Sequence, residues 1–499
     1  MKKNTKILLI NPFLTTLPDD PARPSPSLSL GYLAAYIERY YDVRILDIST
    51  EGKNVAQQIG QKKRVGLTNG GIRKYLSEYR PDVVGITNPS TFHANDAFEV
   101  AKIVKETDRN ILVVFGGAHA SSDPESVLQN TEVDIVVIGE GEETLLEIVR
   151  RYENEERLDD IAGTCVRQGG SIKNNPPRKY IEHLDSIPFP ARHLLPMDIY
   201  FETALKETNY AMRNKIATVI TSRGCPGKCI YCAVKTVWGR RWRGRSPQNV
   251  VDEIEHLNRK YGVGEIHFLD DSISVNRDRL MGICDEIIRR KLDIKWTTPN
   301  GIAIWLLNES LIKRMKEAGC YRLTFGLESG NSETLRYLGK RYDYDHAKKI
   351  IKYAHRIGLW TIGTFIIGFP DEKRDSMEDS INFALNSYLD FAVFYIANPF
   401  PGTEMYEIYK REGLLDRLTP DQIVRGTSTK HFTHDELMEI QGKAFSTFLR
   451  SRMLKPWRAL SKIRTVEDAR YTVKLATKFI NMGFGQLKFS KRGIAALWK

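Results

Sequence analysis

The sequence predicts an α/β protein with a doubly wound parallel sheet over residues 1–150, a partial (β/α)6 barrel over residues 206–412, and a basic, mainly helical region over 413–499. Three observations carry this expectation. Short Val/Ile-rich runs alternate with amphipathic stretches of helical period, first over 1–150 and again over 206–412. Between the arrays, within 151–205, the run Leu184-Asp-Ser-Ile-Pro-Phe-Pro-Ala-Arg-His-Leu-Leu-Pro crowds three prolines and suits an extended connector better than a packed helix. At 499 residues the chain also exceeds what one core usually encloses.

In the first array the apolar runs are Lys6–Asn11, Val43–Ile48, Val83–Thr87, Ile111–Phe115 and Ile135–Ile138, and helical patterns such as Leu30–Tyr40 and Ala97–Glu106 separate them. Such alternation builds a parallel sheet covered on both faces. Ligands of these sheets sit at the carboxyl ends of the strands. This chain places Asn11-Pro-Phe, Asn88-Pro-Ser90-Thr-Phe-His93, Gly116-Gly117-Ala-His119 and Gly139-Glu140-Gly141 there. The glycines would let a large flat ligand approach the backbone closely.

The second array starts with Ile216–Ile220 and continues through strands Glu265–Leu269, Ile294–Thr297, Tyr321–Phe325, Thr361–Ile367 and Phe391–Ala397. Helices are expected at Val250–Tyr261, Arg279–Arg290, Ser310–Ala318, Tyr344–Ile357 and Ser376–Leu385. Six such units make a barrel open on one side, with its chemistry at the carboxyl ends of the strands. Those ends carry Asp270-Asp271-Ser, Asn300-Gly, Gly326-Leu-Glu328-Ser329-Gly330, Gly368-Phe-Pro-Asp-Glu372 and Asn398-Pro-Phe-Pro-Gly-Thr.

Composition narrows the class. No run of eighteen apolar residues is present, and the apolar stretch after Met1-Lys-Lys-Asn-Thr-Lys is too short for a signal peptide, so a soluble cytoplasmic protein is expected. Three of the six cysteines lie in one loop, which argues against a disulfide framework. Cys165, Cys284 and Cys320 are scattered through apolar or helical segments, as small buried residues are.

That loop is Thr221-Ser-Arg-Gly-Cys225-Pro-Gly-Lys-Cys229-Ile-Tyr231-Cys232. Three thiolates at this spacing would leave one iron of a [4Fe–4S] cube open to a small molecule. Gly224 and Gly227 permit tight folding, and Arg223 and Lys228 put positive charge beside the thiolates. A three-ligand zinc site and buried free thiols are the alternatives.

The motif, with its aromatic residue before the last cysteine, resembles the cluster loop of the radical S-adenosylmethionine (SAM) enzymes. The resemblance implies Cys225, Cys229 and Cys232 as cluster ligands, SAM on the open iron, and Tyr231 on the adenine side. It further implies a TIM-like core in which Asp270 and Asp271 handle the amino group of SAM, Glu328 and Ser329 the ribose and carboxylate, and Gly368 the adenine. As structural readings, either aspartate serves as a helix N-cap and Glu328 as one half of a loop ion pair.

Residues 5–150 resemble the Rossmann- or flavodoxin-like cobalamin-binding domain that precedes the radical core in one subfamily. The Asp-x-His-x-x-Gly motif of histidine-on cobalamin domains is absent, since Asn11-Pro-Phe-Leu-Thr-Thr stands in its place. The resemblance therefore implies cobalamin without histidine on cobalt, near Asn11, Ser90, Gly116, Gly117, His119, Gly139, Glu140 and Gly141. His119 and His93 could ligate cobalt, touch the periphery of the ligand, or serve as ordinary loop histidines. A nucleotide, or no ligand, is the alternative for this sheet.

Residues 421–499 hold sixteen Lys/Arg against six Asp/Glu, most of the chain's formal charge of +12. Aromatics are interleaved, as in Lys455-Pro-Trp-Arg458 and in the stretch from Gln486 to Lys499. Such a face can meet an anionic membrane, nucleic acid or an acidic redox partner, or be a solvated helical cap. Without a nucleic-acid motif, the membrane is preferred among the three ligands, together with a small-molecule or lipid-linked substrate.

The resemblance implies a cobalamin-dependent C-methyltransferase that uses a 5′-deoxyadenosyl radical and methylcobalamin on an unactivated carbon, with a reductant such as flavodoxin or ferredoxin. A cobalamin-dependent oxidative cyclase or rearrangement enzyme is the second reading, and a non-catalytic cofactor sensor the third.

Overall fold

The computed structural model describes residues 3–17, 26–207, 210–415 and 426–486. It divides into two compact units, Met1–Thr203 with Ala233–Gly239, and Ala204–Cys232 with Arg240–Lys499.

Unit 1 contains β1 (Lys3–Asn11), β2 (Leu14–Thr16), β3 (Tyr41–Asp47), β4 (Ala56–Ile59), β5 (Lys62–Val65), β6 (Val83–Thr87), β7 (Leu112–Gly116), β8 (Ile135–Val137), β9 (Thr164–Gln168) and β10 (Ser171–Asn174). Seven of them form one sheet in the order β10-β9-β8-β7-β6-β1-β3. The pairs from β3 to β8 are parallel, and β9 and β10 add antiparallel edge strands. Ile7, Leu8, Leu9 and Ile10 of β1 are fully buried, because helices cover both faces of a parallel sheet. Strand order reverses between β1 and β6, so the ligand-binding crevice of such a sheet lies at their carboxyl ends.

Two features of unit 1 depart from the sequence expectation. β2, β5 and β4 form a small antiparallel sheet of their own, in which all four residues of β4 are exposed. Within 151–205, where an extended connector is expected, β9 and β10 extend the main sheet. Thr164, Cys165 and Val166 are buried, and the Arg167 guanidinium donates to the carbonyls of Leu128 (2.7 Å) and Val133. The proline-rich run itself forms only single turns at Leu184–Ser186 and Arg192–Leu194. Residues 233–239, which follow Cys232 directly, belong to this unit as well. Their helix Val234–Trp238 lies on helix Ala118–Ser122, with 3.1 Å between the hydroxyls of Thr236 and Ser122.

Unit 2 contains β11 (Ile216–Val219), the two-residue strands β12 (Ser222–Arg223) and β13 (Arg243–Gly244), β14 (Glu265–Phe268), β15 (Lys295–Ile302), β16 (Cys320–Glu328), β17 (Trp360–Ile367) and β18 (Phe391–Ile396). Six of these run parallel in sequential order, β11-β14-β15-β16-β17-β18, and the two end strands do not pair with each other. This is the expected partial barrel. β15 runs on through Ile302, so Asn300 and Gly301 lie inside a strand instead of after it.

The C-terminal region is helical over His434–Met453, Trp457–Leu460 and Val466–Gln486. Several of its cations are spent on the fold. The Arg452 guanidinium caps the end of helix Arg374–Asn386, donating to the carbonyls of Ala384 (2.9 Å) and Leu389 (2.9 Å). Lys462 is buried, with its ammonium 2.9 Å from Asp390 and donating to the Leu359 carbonyl. The basic run from 487 to 499 lies outside the described residues.

Candidate functional site

In unit 2 the cysteine loop is pinned where it leaves β11. Asp270, buried at the end of β14, accepts from the Thr221 amide (3.2 Å), the Thr221 hydroxyl (2.7 Å) and the Ser222 hydroxyl. Arg279 donates to the carbonyls of Thr221 (2.6 Å) and Arg245. Asp270 therefore anchors the loop, where the sequence reading gave it a SAM contact. The carboxylate is buried, and its oxygens already accept three hydrogen bonds from the loop.

Beyond this anchor Gly224 turns the chain with φ +84°. A Cβ on Gly227 would lie 3.4 Å from the Cys225 sulfur and 3.8 Å from the Cys229 sulfur, so the two thiols flank this position. A Cβ on Gly339 would meet the Lys228 carbonyl at 2.6 Å, and the Ile230 amide donates to the Leu338 carbonyl at 3.2 Å, which holds the far side of the loop. Burial pushes the Cys225 thiol up, Cys229 and Asp271 add to this, and Lys340 opposes it. Cluster binding would thus release protons from the loop. Among the described residues no three His, Cys, Asp or Glu side chains close on a single ion. The ligands of a four-iron cube attach to separate irons and do not need such closure.

Around the loop the structure gathers Tyr231, Asp271, Glu328 and Lys340. The Tyr231 ring stands 6.3 Å from Phe369, and burial, followed by Glu328, Cys229 and Cys232, raises its hydroxyl far above the ordinary range. Asp271 is pushed up to about 6 by burial and by the neighbouring Asp270. Glu328 ends β16 with φ +64°, a backbone conformation that non-glycine residues rarely adopt and that concentrates at functional sites. Its carboxylate accepts from the Lys340 ammonium at 2.7 Å, and that ammonium lies 5.1 Å from the Trp305 ring.

Two other expected contacts turn inward. The Ser329 hydroxyl shares a hydrogen bond with Ser380 (3.1 Å) and accepts from the Asn331 amide (3.1 Å), anchoring β16 to helix Arg374–Asn386. Gly368 has φ +80°, and a Cβ there would lie 2.9 Å from the Leu437 Cδ1, so the turn requires glycine. The turn is held by Glu372, which accepts from the amides of Gly368 (2.7 Å) and Phe369 (3.3 Å). Burial pushes Glu372 up to about 7. Sequence reasoning missed Lys340, Phe369 and Trp305. Lys340 lies twelve residues beyond its partner, and no local pattern marks it.

In unit 1 the crevice at the ends of β6 and β7 is polar and partly unsatisfied. Asn88 is fully buried, and neither atom of its side-chain amide has a hydrogen-bond partner; the buried Ser90 hydroxyl has none either. Buried polar groups ordinarily find partners, so this cluster fits a polar ligand. Gly117 has φ +110°, and a Cβ there would strike the Asn88 carbonyl at 2.7 Å, whereas Gly116 faces open space up to 3.9 Å. The His119 ring lies 3.2 Å from the Thr91 hydroxyl and is pushed down by burial, which keeps it neutral at physiological pH. His93 faces Asp96 at 3.5 Å.

The remaining expected residues frame the crevice. The Asn11 amide donates to Asp47 (3.0 Å) and Ser49 (3.3 Å). The Gly139 amide donates to the Ser121 hydroxyl (3.0 Å). Glu140 is buried and accepts from the Ile181 amide (2.7 Å), and Gly141 packs on Leu33.

Comparison with known proteins matches these two sites to two family models, a B12 binding domain over residues 22–149 and the radical SAM superfamily over residues 219–384. The chain is 35% identical over 462 residues to the uncharacterized methyltransferase PH0819 of Pyrococcus horikoshii, covering 91% of this chain and 94% of that protein. It is 32% identical over 449 residues to the cytidylyl-2-hydroxyethylphosphonate methyltransferase of Streptomyces wedmorensis, covering 83% of each. The chain belongs to the cobalamin-binding radical SAM methyltransferases. The fold of this radical SAM enzyme also matches TsrM of Kitasatospora setae, solved with cobalamin and a [4Fe–4S] cluster bound (TM-score 0.67, 18% identity, 83% of this chain and 79% of that one). OxsB, solved with aqua-cobalamin and SAM, gives a TM-score of 0.64 at 16% identity over 97% of this chain and 72% of that one. The two family models accordingly name SAM chemistry for the second region and B12 for the first.

Proposed function

We propose that this radical SAM enzyme transfers a methyl group to an unactivated carbon of a small-molecule substrate. The observation that carries the reading is collinearity. Both cofactor regions align in one register with a methyltransferase over 91% of the chain and 94% of that relative.

In this reading Cys225, Cys229 and Cys232 hold the cluster, and Tyr231, Asp271, Glu328 and Lys340 line the SAM side. Ser90, Asn88, Gly116, Gly117 and His119 meet cobalamin, with Asn11 and residues 139–141 shaping the crevice. When bound, these groups supply a strong hydrogen-abstracting radical and a methyl carrier, chemistry that belongs to the cofactors. The work of the protein is positioning. Asp270 and Arg279 fix the loop, Glu372 fixes the turn that bears Phe369, and the Glu328–Lys340 pair holds a charge of each sign beside the thiols. A low-potential reductant such as flavodoxin or ferredoxin and a cytoplasmic setting complete the proposal. Nucleic acid has no part in it.

An oxidative cyclase is the second reading, because the anaerobic magnesium-protoporphyrin IX monomethyl ester cyclase of Rubrivivax gelatinosus is 25% identical over 99% of this chain. Anaerobic reconstitution with iron, sulfide and hydroxocobalamin, followed by SAM and a strong reductant, separates the two. A methyltransferase is expected to form S-adenosylhomocysteine as well as 5′-deoxyadenosine. Formation of 5′-deoxyadenosine with no S-adenosylhomocysteine would favour the cyclase and sink methyl transfer.

A further inference from the structure

The segment from Met453 to Val473 exposes far more apolar surface than a solvated cap requires. Among the described residues Leu454 is 76% exposed, Trp457 61%, Leu460 59% and Val466 70%, and Ile463 is also exposed. Scattered exposed apolar residues need no explanation, but a contiguous group does. Leu454, Trp457, Leu460, Ile463 and Val466 lie within thirteen residues, on the turns and the short helix Trp457–Leu460 that join helix His434–Met453 to helix Val466–Gln486.

The same segment is fixed to the barrel. Arg458 donates to the Leu389 carbonyl (3.4 Å), Lys462 to that of Leu359, and Arg464 to that of Arg356 (3.2 Å). These residues precede β18 and β17, so the segment is fastened at the amino ends of the strands, the pole opposite the cysteine loop and Glu328. Leu454, Trp457, Leu460 and Val466, interleaved with these anchors, stay exposed.

Charge sets the kind of partner. Residues 450–474 carry eight Lys/Arg and two acidic residues. Both acids are occupied: Glu467 pairs with Arg213 (2.8 Å), and Asp468 accepts from the amides of Thr465 (3.0 Å) and Arg464 (3.3 Å). Arg450, Lys455, Arg464 and Arg470 remain exposed around the apolar group. A second copy of the chain docked here would set like charges against each other. An acidic electron donor would sit at the end of the barrel remote from the thiols. An anionic lipid surface satisfies both the charge and the apolar group, since basic residues approach headgroups while Trp and Leu enter the interface.

We propose that residues 453–473 form an interfacial foot by which the enzyme rests on an anionic membrane surface. The barrel mouth, at the opposite pole, then stays toward water. The foot concentrates the enzyme at the membrane while its substrate arrives from solution, which removes the need for a lipid-linked substrate.

The test is co-sedimentation of the full-length, reconstituted protein with vesicles of phosphatidylcholine alone and of phosphatidylcholine mixed with phosphatidylglycerol. Binding to the mixed vesicles is expected to be about tenfold or more tighter and to weaken as salt is raised. The double substitution Leu454→Glu and Trp457→Glu, and separately Arg450→Glu with Lys455→Glu, should each lower binding about tenfold. All four side chains are exposed, so the melting temperature should not change. Equal binding to both vesicle types, or undiminished binding by the Leu454→Glu and Trp457→Glu protein, would overturn the proposal. So would a dimer in sedimentation velocity that this substitution dissolves.

Discussion

At the scale of single residues, two adjacent aspartates do different work. Asp270 is held by three loop donors, whereas Asp271 acts on the Cys225 thiol only through its charge, a division invisible in the dipeptide Asp270-Asp271 because it depends on which carboxylate points under the loop. Replacing Asp270 with Asn exchanges one of its two acceptor oxygens for an NH2 that cannot accept, which sets a buried loop donor at Thr221 or Ser222 against it at about 1–3 kcal/mol. Asp270→Asn is therefore expected to lower the unfolding free energy by that amount, read by denaturant titration, and to retain less iron after reconstitution. Asp271→Asn should not lower stability: because burial raises the Asp271 carboxyl to about 6, the stability difference should shift in favour of the variant as pH rises through that value. Iron retention in Asp270→Asn equal to that of the parent would show that the anchor is dispensable. Lys340 illustrates the limit of sequence reading at this scale. Its partner Glu328 is legible at a strand end, but the ion pair exists only because the chain folds back across helix Ser332–Tyr337.

At the scale of elements, the turn after β17 stores a pH dependence. The folded value of Glu372, about 7, lies above its ordinary 4.5 because burial outweighs the amides that it accepts from. The folded state then binds more protons than the unfolded chain between those values, so the contribution of Glu372 is fully present below about 4.5 and is lost as pH rises through about 7. At about 1.4 kcal/mol per unit the swing is on the order of 3 kcal/mol. Glu372→Gln cannot ionise, so the stability difference between variant and parent should shift in favour of the variant from pH 5 to pH 8. A difference that stays flat across that range would refute the assignment. The strands themselves were readable because buried parallel strands are continuous apolar runs, as in Ile7–Ile10 and Thr361–Ile367. β4 and β5 were not, since Ala56–Ile59 and Lys62–Val65 are short, largely polar and barely buried. Gly368 was legible only in part. Its positive φ was foreseeable, but Leu437, which lies against it, arrives from a helix almost seventy residues later.

At the scale of the whole molecule, the two proposed cofactor sites stand on separate cores. One lies at the ends of β6 and β7 over a core that includes Phe115 and Val136, and the other lies in a loop whose Ile230 packs with Phe369 and Tyr409. Separate cores predict separable losses. Cys225→Ala removes a proposed cluster ligand without disturbing the parallel sheet of unit 1, so the reconstituted variant should lose iron and keep cobalamin. Gly117→Ala places a Cβ 2.7 Å from the Asn88 carbonyl at φ +110°, a strain of about 1–3 kcal/mol at the mouth of the crevice, so it should lose cobalamin and keep iron. Iron and cobalt counts after desalting read both outcomes. Neither variant should transfer a methyl group, yet Gly117→Ala should still cleave SAM to 5′-deoxyadenosine, because the cluster loop alone suffices for that step. If Gly117→Ala lost iron along with cobalt, the two sites would not be independent, and the assignment of cobalamin to the β6–β7 crevice would lose its main physical support.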